Sequence, residues 1–121
     1  MKIKKQLPND FSGTLVAHMK RKKCSVEKLA ELSLVGEKTI QRMRNDENYQ
    51  VSLENIIAIC IGLQLEEEFS YDLIKKAGYS FRETEQHIIY ELLIRNCYMH
   101  SIHYCNEILM ENNMKPLGTM K

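Results

Sequence analysis

From Ser52 to Leu63 the chain reads Ser-Leu-Glu-Asn-Ile-Ile-Ala-Ile-Cys-Ile-Gly-Leu, and this segment constrains the fold more than any other. Past Glu54 and Asn55 it holds no charged or amide side chain, so a helix from Leu53 to about Leu63, capped by Ser52, is apolar on nearly every side. Such a helix must lie at the centre of a core with other elements packed around it. The wider apolar run, Ile56 to Leu65, is broken by Gly62 and Gln64 and reaches about half the length a bilayer requires. No membrane partner is expected.

The elements that could surround it are also helical. Phe11, Leu15, Val16 and Met19 recur at helix spacing behind Asp10, a good N-cap residue, and this first helix runs out in Lys20-Arg21-Lys22-Lys23. Ser25 caps a second helix that buries Val26, Leu29 and Ala30. The link Ser33-Leu34-Val35-Gly36 leads to a third, Glu37 to about Asn45, with Ile40 and Met43 inward. After the polar loop Asp46–Gln50 and the central helix, a fifth covers about Glu67 to Ala77, with Phe69, Leu73 and Ile74 inward and Gly78 at the C′ position. Thr84 caps a sixth that buries Ile88, Ile89, Tyr90, Leu92 and Leu93. Ser101 caps a seventh carrying Ile102, Cys105, Ile108 and Leu109, and order is expected to end near Lys115–Gly118. The period-two alternation of a strand is missing, so the fold class is all-α.

A chain of 121 residues with only 2 prolines and 5 glycines suits one compact helical unit. Its net charge of +1 hides an asymmetry: residues 1–50 carry 11 Lys/Arg against 6 Asp/Glu, and residues 51–121 carry 6 against 10. A basic N-terminal half suggests that one face meets a polyanion. No apolar stretch follows the basic residues of Met1–Pro8, so a secretory signal is not expected, and the four cysteines read as reduced thiols of a cytoplasmic protein.

The segment Ser25–Asn45 carries the function. Two short helices are separated by a link that permits only a tight angle, with Ala30 small enough for close approach and Leu29, Val35, Ile40 and Met43 between them. Glu37, Lys38, Gln41, Arg42 and Asn45 remain on the outer side of the second helix, long polar side chains of the kind that reach bases and phosphates. With its Leu29-Ala30 and Thr39-Ile40 pairs, the segment resembles the helix-turn-helix of the Xre/lambda-repressor-like (Cro/C1-type) regulators. Ser52–Ala58 resembles the helix that follows recognition in that family, Gly62-Leu63 its ending, and the resemblance extends to about residue 78. Leu34 stands where the family usually has Gly in the turn, Gly36 where it usually has a Ser or Thr cap, and Val26 where it often has Gln.

The resemblance implies a five-helix lambda-repressor-like DNA-binding domain with two additional C-terminal helices: a basic arm at 1–9, the helix-turn-helix domain at 10–78 and a helical extension at 79–121. It also implies that the helix about Glu37–Asn45 docks in the major groove of double-stranded DNA. Carried over position by position, Glu37, Lys38, Gln41 and Arg42 would face bases, Arg42 foremost because its planar fork can bond guanine O6 and N7 together. Lys23, Ser25, Thr39, Arg44 and Asn45 would meet the DNA backbone.

The apolar residues of 84–113 exceed what two short helices hide on a small domain, and they either complete the core or form a seam. A homodimer is expected, since one recognition helix supplies few contacts, and 84–113 is also a candidate surface for a protein partner. Cys97, His100, His103 and Cys105 are metal-ligand types, but their spacing fits no compact ligand set; they read as core thiols and surface or hydrogen-bonded histidines, with no metal and no cofactor. His18, among basic residues, reads as a solvated histidine rather than a phosphate contact. There is no phosphate-binding Gly loop, His-Glu-x-x-His or nucleophile elbow, so an enzyme is not expected. The expected function is a sequence-specific, repressor-like transcriptional regulator. The alternative is an interaction module or antitoxin-like adaptor that keeps the fold and holds a protein with its C-terminal helices.

Overall fold

The structure, a computed structural model, describes residues 8–118. These form seven helices and no strand: α1 (Phe11–Arg21), α2 (Val26–Ser33), α3 (Glu37–Asn45), α4 (Leu53–Gly62), α5 (Glu67–Lys76), α6 (Glu85–Asn96) and α7 (Ile102–Glu111). The basic arm expected at 1–9 lies outside the described residues except for Pro8 and Asn9.

Local chemistry fixes the helix ends. Asp10, Ser25, Ser52, Thr84 and Ser101 each sit in extended backbone, and each side chain accepts the amide hydrogen three residues on. Each cap satisfies one of the donors that a helix start leaves open. α5 begins instead at Glu66, with Glu67 and Glu68 in its first turn, where the helix dipole favours negative charge. At its other end Gly78 takes φ +91, its amide bonds Lys75 O, and Tyr79 N bonds Ile74 O. This is the paired-bond ending that needs a left-handed residue, which glycine supplies without steric cost. The same pair of bonds closes α1, α4 and α7, but there Lys23, Gln64 and Asn113 occupy the left-handed position.

The all-round apolar segment is the central element. Leu53 and every residue from Ile56 to Gly62 are buried, and α4 packs against α2, α5, α6 and α7. α2 comes close enough that a Cβ on Gly62 would lie 3.0 Å from the Cβ of Ser33 and 3.2 Å from Leu29 Cδ1. The recognition-type helix α3 rests on α1 and α2. α1 is tied down at its start, where Thr14, fully buried, donates to Asp10 O at 2.7 Å, and Lys76 Nζ reaches Pro8 O, Thr14 Oγ1 and Asp72 Oδ2.

The C-terminal helices share the same core: Tyr90, Leu93, Ile94, Ile102, Cys105 and Leu109 are buried in one cluster with Leu15, Leu29, Ile40 and Ile57. Tyr71 of α5 donates to Glu91 at 2.8 Å and accepts from Arg95 Nε at 3.1 Å, which fastens α6 across α5. Two expectations are corrected here. Ile88 and Leu92 do not face the core: they are 56% and 40% exposed, and Ile94 with Tyr90 and Leu93 takes the inward positions because α6 is rotated to bury its tyrosine against α4. The chain stays packed beyond the last helix, where Leu117 is buried. His18 is fully enclosed, its ring 5.1 Å from that of Phe69 and its Nδ1 3.2 Å from Arg21.

No helix among the described residues is long and apolar enough to cross a membrane.

Candidate nucleic-acid interface

α3 divides cleanly around its axis. At about 100° per residue, Glu37, Gln41, Asn45, Lys38 and Arg42 fan in that order over an arc of about 140°. All five are exposed, while Ile40 and Met43, on the opposite side, are fully buried. Thr39 and Arg44, both half-buried, stand at the two margins, Thr39 beyond Arg42 and Arg44 beyond Glu37. The sequence-derived base readers therefore share one face. Of the expected backbone contacts on α3, Thr39 and Arg44 flank that face and Asn45 falls near its middle.

Glu37, Lys38, Gln41 and Asn45 spend no side-chain hydrogen bond or ion pair on another described residue. Arg42 is held from the side: its guanidinium lies 5.2 Å from the centre of the Tyr49 ring. Tyr49 belongs to the loop after α3, which Asp46 shapes by accepting from Asn48 N at 3.0 Å through its side chain and from Tyr49 N at 3.1 Å through its carbonyl. The far end of the loop is pinned where Tyr79 donates to Val51 O at 2.6 Å. Tyr49 was not singled out from the sequence, because a tyrosine in a polar loop carries no period that marks it. The Nε of Arg44 is enclosed without a hydrogen-bond partner among the described residues.

The corner between α2 and α3 is made by Leu34, at φ 62 and ψ 19. A left-handed conformation costs an ordinary residue about 1 kcal/mol, which is why glycine is the usual occupant. Ser33 holds the corner. Its hydroxyl, fully buried, donates to Leu29 O at 2.7 Å and accepts from Val35 N at 3.2 Å. The end of α3 is set by another serine, Ser12 of α1, which donates to Met43 O at 2.8 Å in a buried position. Helix ends leave their last carbonyls open, and this bond closes one of them while locking α3 to α1. Both serines escape sequence reasoning, since a serine on an apolar face looks the same as one facing water.

Between α1 and α2, Lys23 is exposed at the left-handed position, and Ser25 is exposed as the cap of α2, its oxygen occupied by Lys28 N and its hydroxyl hydrogen left to donate. The basic cluster before them is less available than its composition suggests. Lys22 pairs with Glu66 at 3.2 Å and donates to Gln64 O, and Arg21 lies 3.7 Å from Glu66 and 4.9 Å from the Phe69 ring centre. Lys20 and Lys23 keep their charge for solvent or a ligand, with no carboxylate partner among the described residues.

The C-terminal cluster does not assemble as a site. Cys97 and Cys105 are buried, with the Cys105 thiol pushed up to about 12 by burial and the nearby Cys97; His100 and His103 are exposed, His100 stacked on Tyr104. No group of three or more metal-ligating side chains forms among the described residues.

Comparison with known families agrees with this geometry. Residues 15–68 match the Cro/C1-type HTH DNA-binding domain, a span from the first turns of α1 to the start of α5 that contains every element of the interface. No curated protein and no solved structure gives a significant match to the chain. Over residues 15–68, then, the chain is similar to the Cro/C1-type helix-turn-helix DNA-binding domain, and this stretch is carried on an all-α fold with further helices behind it.

Proposed function

We propose that the protein is a sequence-specific transcriptional regulator, repressor-like in action, that lays α3 in the major groove of duplex DNA. The observation that carries this reading is the arc of Glu37, Lys38, Gln41, Arg42 and Asn45, exposed and free of hydrogen-bonded or ionic partners among the described residues, backed by a rigid floor of Ile40 and Met43. Side chains with unspent donors and acceptors on a preorganised helix are what base reading requires. Arg42 suits guanine and Gln41 adenine. Lys38 adds a flexible donor, and Glu37 accepts from cytosine N4 while repelling wrong sequences. Lys23, the hydroxyl of Ser25, Thr39 and Arg44 take the phosphates on either side, and Asn45, the last residue of α3, meets the backbone from the end of the helix.

Two copies read two half-sites as a homodimer in the cytoplasm, and neither catalysis nor a cofactor is part of the role. The second reading, an adaptor that uses the fold to hold a protein, draws support from Ile88 and Leu92, which stand one turn apart and exposed on α6.

The deciding experiment is selection of genomic DNA fragments by the purified protein at two salt concentrations, with Arg42→Ala in parallel. Enrichment of a common palindromic site, lost in the variant, is the expected result. Weak, uniform binding that disappears with salt and ignores Arg42→Ala would leave only polyanion attraction and transfer the case to the adaptor reading.

A further inference from the structure

The segment after α7 reaches back to the helix-turn-helix. Leu117, six positions beyond Glu111, is 3% exposed, and its peptide groups are held by one side chain: Leu117 N donates to Asn106 Oδ1 at 2.7 Å, and Asn106 Nδ2 donates to Leu117 O at 3.1 Å. Asn106, itself buried on α7, thus spends both ends of its carboxamide on the backbone of one residue. A buried amide commits to such a pair only where its geometry is fixed, because a lost partner would leave a desolvated polar group.

The next residue meets the corner directly. Gly118 adopts φ +113, and a Cβ there would lie 2.6 Å from Leu34 Cβ and 2.9 Å from Leu34 O. The tail backbone is therefore seated on the residue whose left-handed conformation sets the angle between α2 and α3. On the way it borders a recess shared with Ser52 and Asn55 at the start of α4 and with Tyr90 of α6.

We infer that Asn106, Leu117 and Gly118 are positioning residues for DNA recognition: the tail is a strap, clamped by α7, that backs Leu34 and holds the recognition helix at its reading angle. The inference rests on the DNA-binding reading and deepens it, because the C-terminal helices then act on the interface through one contact. Leu34 has no glycine-like freedom, and Ser33 braces it from the core side. The strap braces it from the other side. Release of the strap leaves α3 folded and its base-reading arc intact but widens the range of angles at which the arc is presented, and binding to a preorganised target weakens when the binder must first be ordered.

The test uses full-length Asn106→Ala, Leu117→Ala and Gly118→Ala, with Ile102→Val, at the far end of α7 from the tail, as a control for general weakening. Affinity for the selected DNA site is measured well below each thermal midpoint, and amide hydrogen exchange is followed in the free proteins. The expected result is a loss of at least about fivefold in affinity for the three strap variants, with faster exchange confined to residues 34–36, and no change in either for Ile102→Val. Gly118→Ala leaves the Asn106 and Leu117 side chains in place and acts at the contact itself, through the collision with Leu34 and the strain of a side chain at φ +113, so it reports on the corner even if the other two variants loosen α7.

Unchanged affinity and unchanged exchange at the corner, despite a lower midpoint, would overturn the inference and reduce the tail to a cap on α7. Were the wild-type protein to select no DNA site, the DNA reading would fall by itself, and the exchange of residues 34–36 in the same variants would still decide whether the strap governs the corner.

Discussion

Ser33 accepts the amide hydrogen of Val35 at 3.2 Å from a fully buried position, and so closes the corner between α2 and α3 from the inside. Ser33→Ala removes this acceptor and the donor to Leu29 O, and Val35 N–H is left buried with no partner. The expected cost is about 1–3 kcal/mol, read by urea unfolding. An undiminished midpoint would show that the corner holds itself without the hydroxyl.

Lys23 takes a conformation that favours glycine, φ 54, and is also an expected phosphate contact. Lys23→Gly relieves the strained backbone and removes the charge, so stability and DNA binding should move in opposite directions: a gain of about 0.5–1 kcal/mol in unfolding free energy with weaker binding and a shallower salt dependence by about one phosphate contact. A variant that is more stable and binds equally well would remove Lys23 from the interface.

Arg42 leans on the Tyr49 ring at 5.2 Å. A contact of this kind at an exposed site contributes about 0.5–1 kcal/mol, so Tyr49→Leu should weaken operator binding about two- to fivefold by restoring freedom to Arg42. The informative comparison is the double variant. In an Arg42→Ala background the tyrosine should matter little, and an effect that persists there would assign Tyr49 a DNA contact of its own.

His18 is held neutral. Burial, and next the positive charge of Arg21, lower its pKa from 6.5 to about 4, against the opposing pull of Asp72 and Glu66. A base whose folded pKa lies below its unfolded value takes up its proton more readily in the unfolded chain. The stability it permits is complete above pH 6.5 and is lost as the pH falls from there toward 4, by about 3 kcal/mol at the lower end. Denaturation midpoints from pH 7 to 5 should therefore fall for the wild type and fall less for His18→Leu. Parallel slopes for the two proteins would show that His18 is not the group being titrated.

The helices and their limits were legible in the sequence because each depends on neighbours within a turn. The caps Asp10, Ser25, Ser52, Thr84 and Ser101 and the terminating Gly78 act on amides and carbonyls a few residues away, and the unbroken apolar run of Ile56–Ile61 leaves no solvated face, whatever surrounds it. The outward set on α3 follows from the same period, with Ile40 and Met43 marking its floor. Where burial is decided between distant segments, the pattern was ambiguous. On α6, Ile88, Leu92, Tyr90, Leu93 and Ile94 together offer more apolar surface than one face holds, and only packing against α4 and α5 turned the first two outward.

His18 sits in a run of cations that suggests solvent, yet its inward position on α1 places it against Phe69, more than forty residues on. Ser12 with Met43, and Asn106 with Leu117, are hydrogen bonds between a common polar side chain and a backbone group of another element. Nothing local distinguishes those side chains from exposed ones. The sequence by itself thus determined the seven helices of residues 8–118, the caps Asp10, Ser25, Ser52, Thr84 and Ser101, an all-α core and the residues of α3 that face outward, because these follow from short-range hydrogen bonding and period. Tertiary structure alone decided which polar groups are buried, how the left-handed corner at Leu34 is held, and that the C-terminal tail lies on it. Those outcomes depend on the desolvation and close packing of segments far apart in the chain.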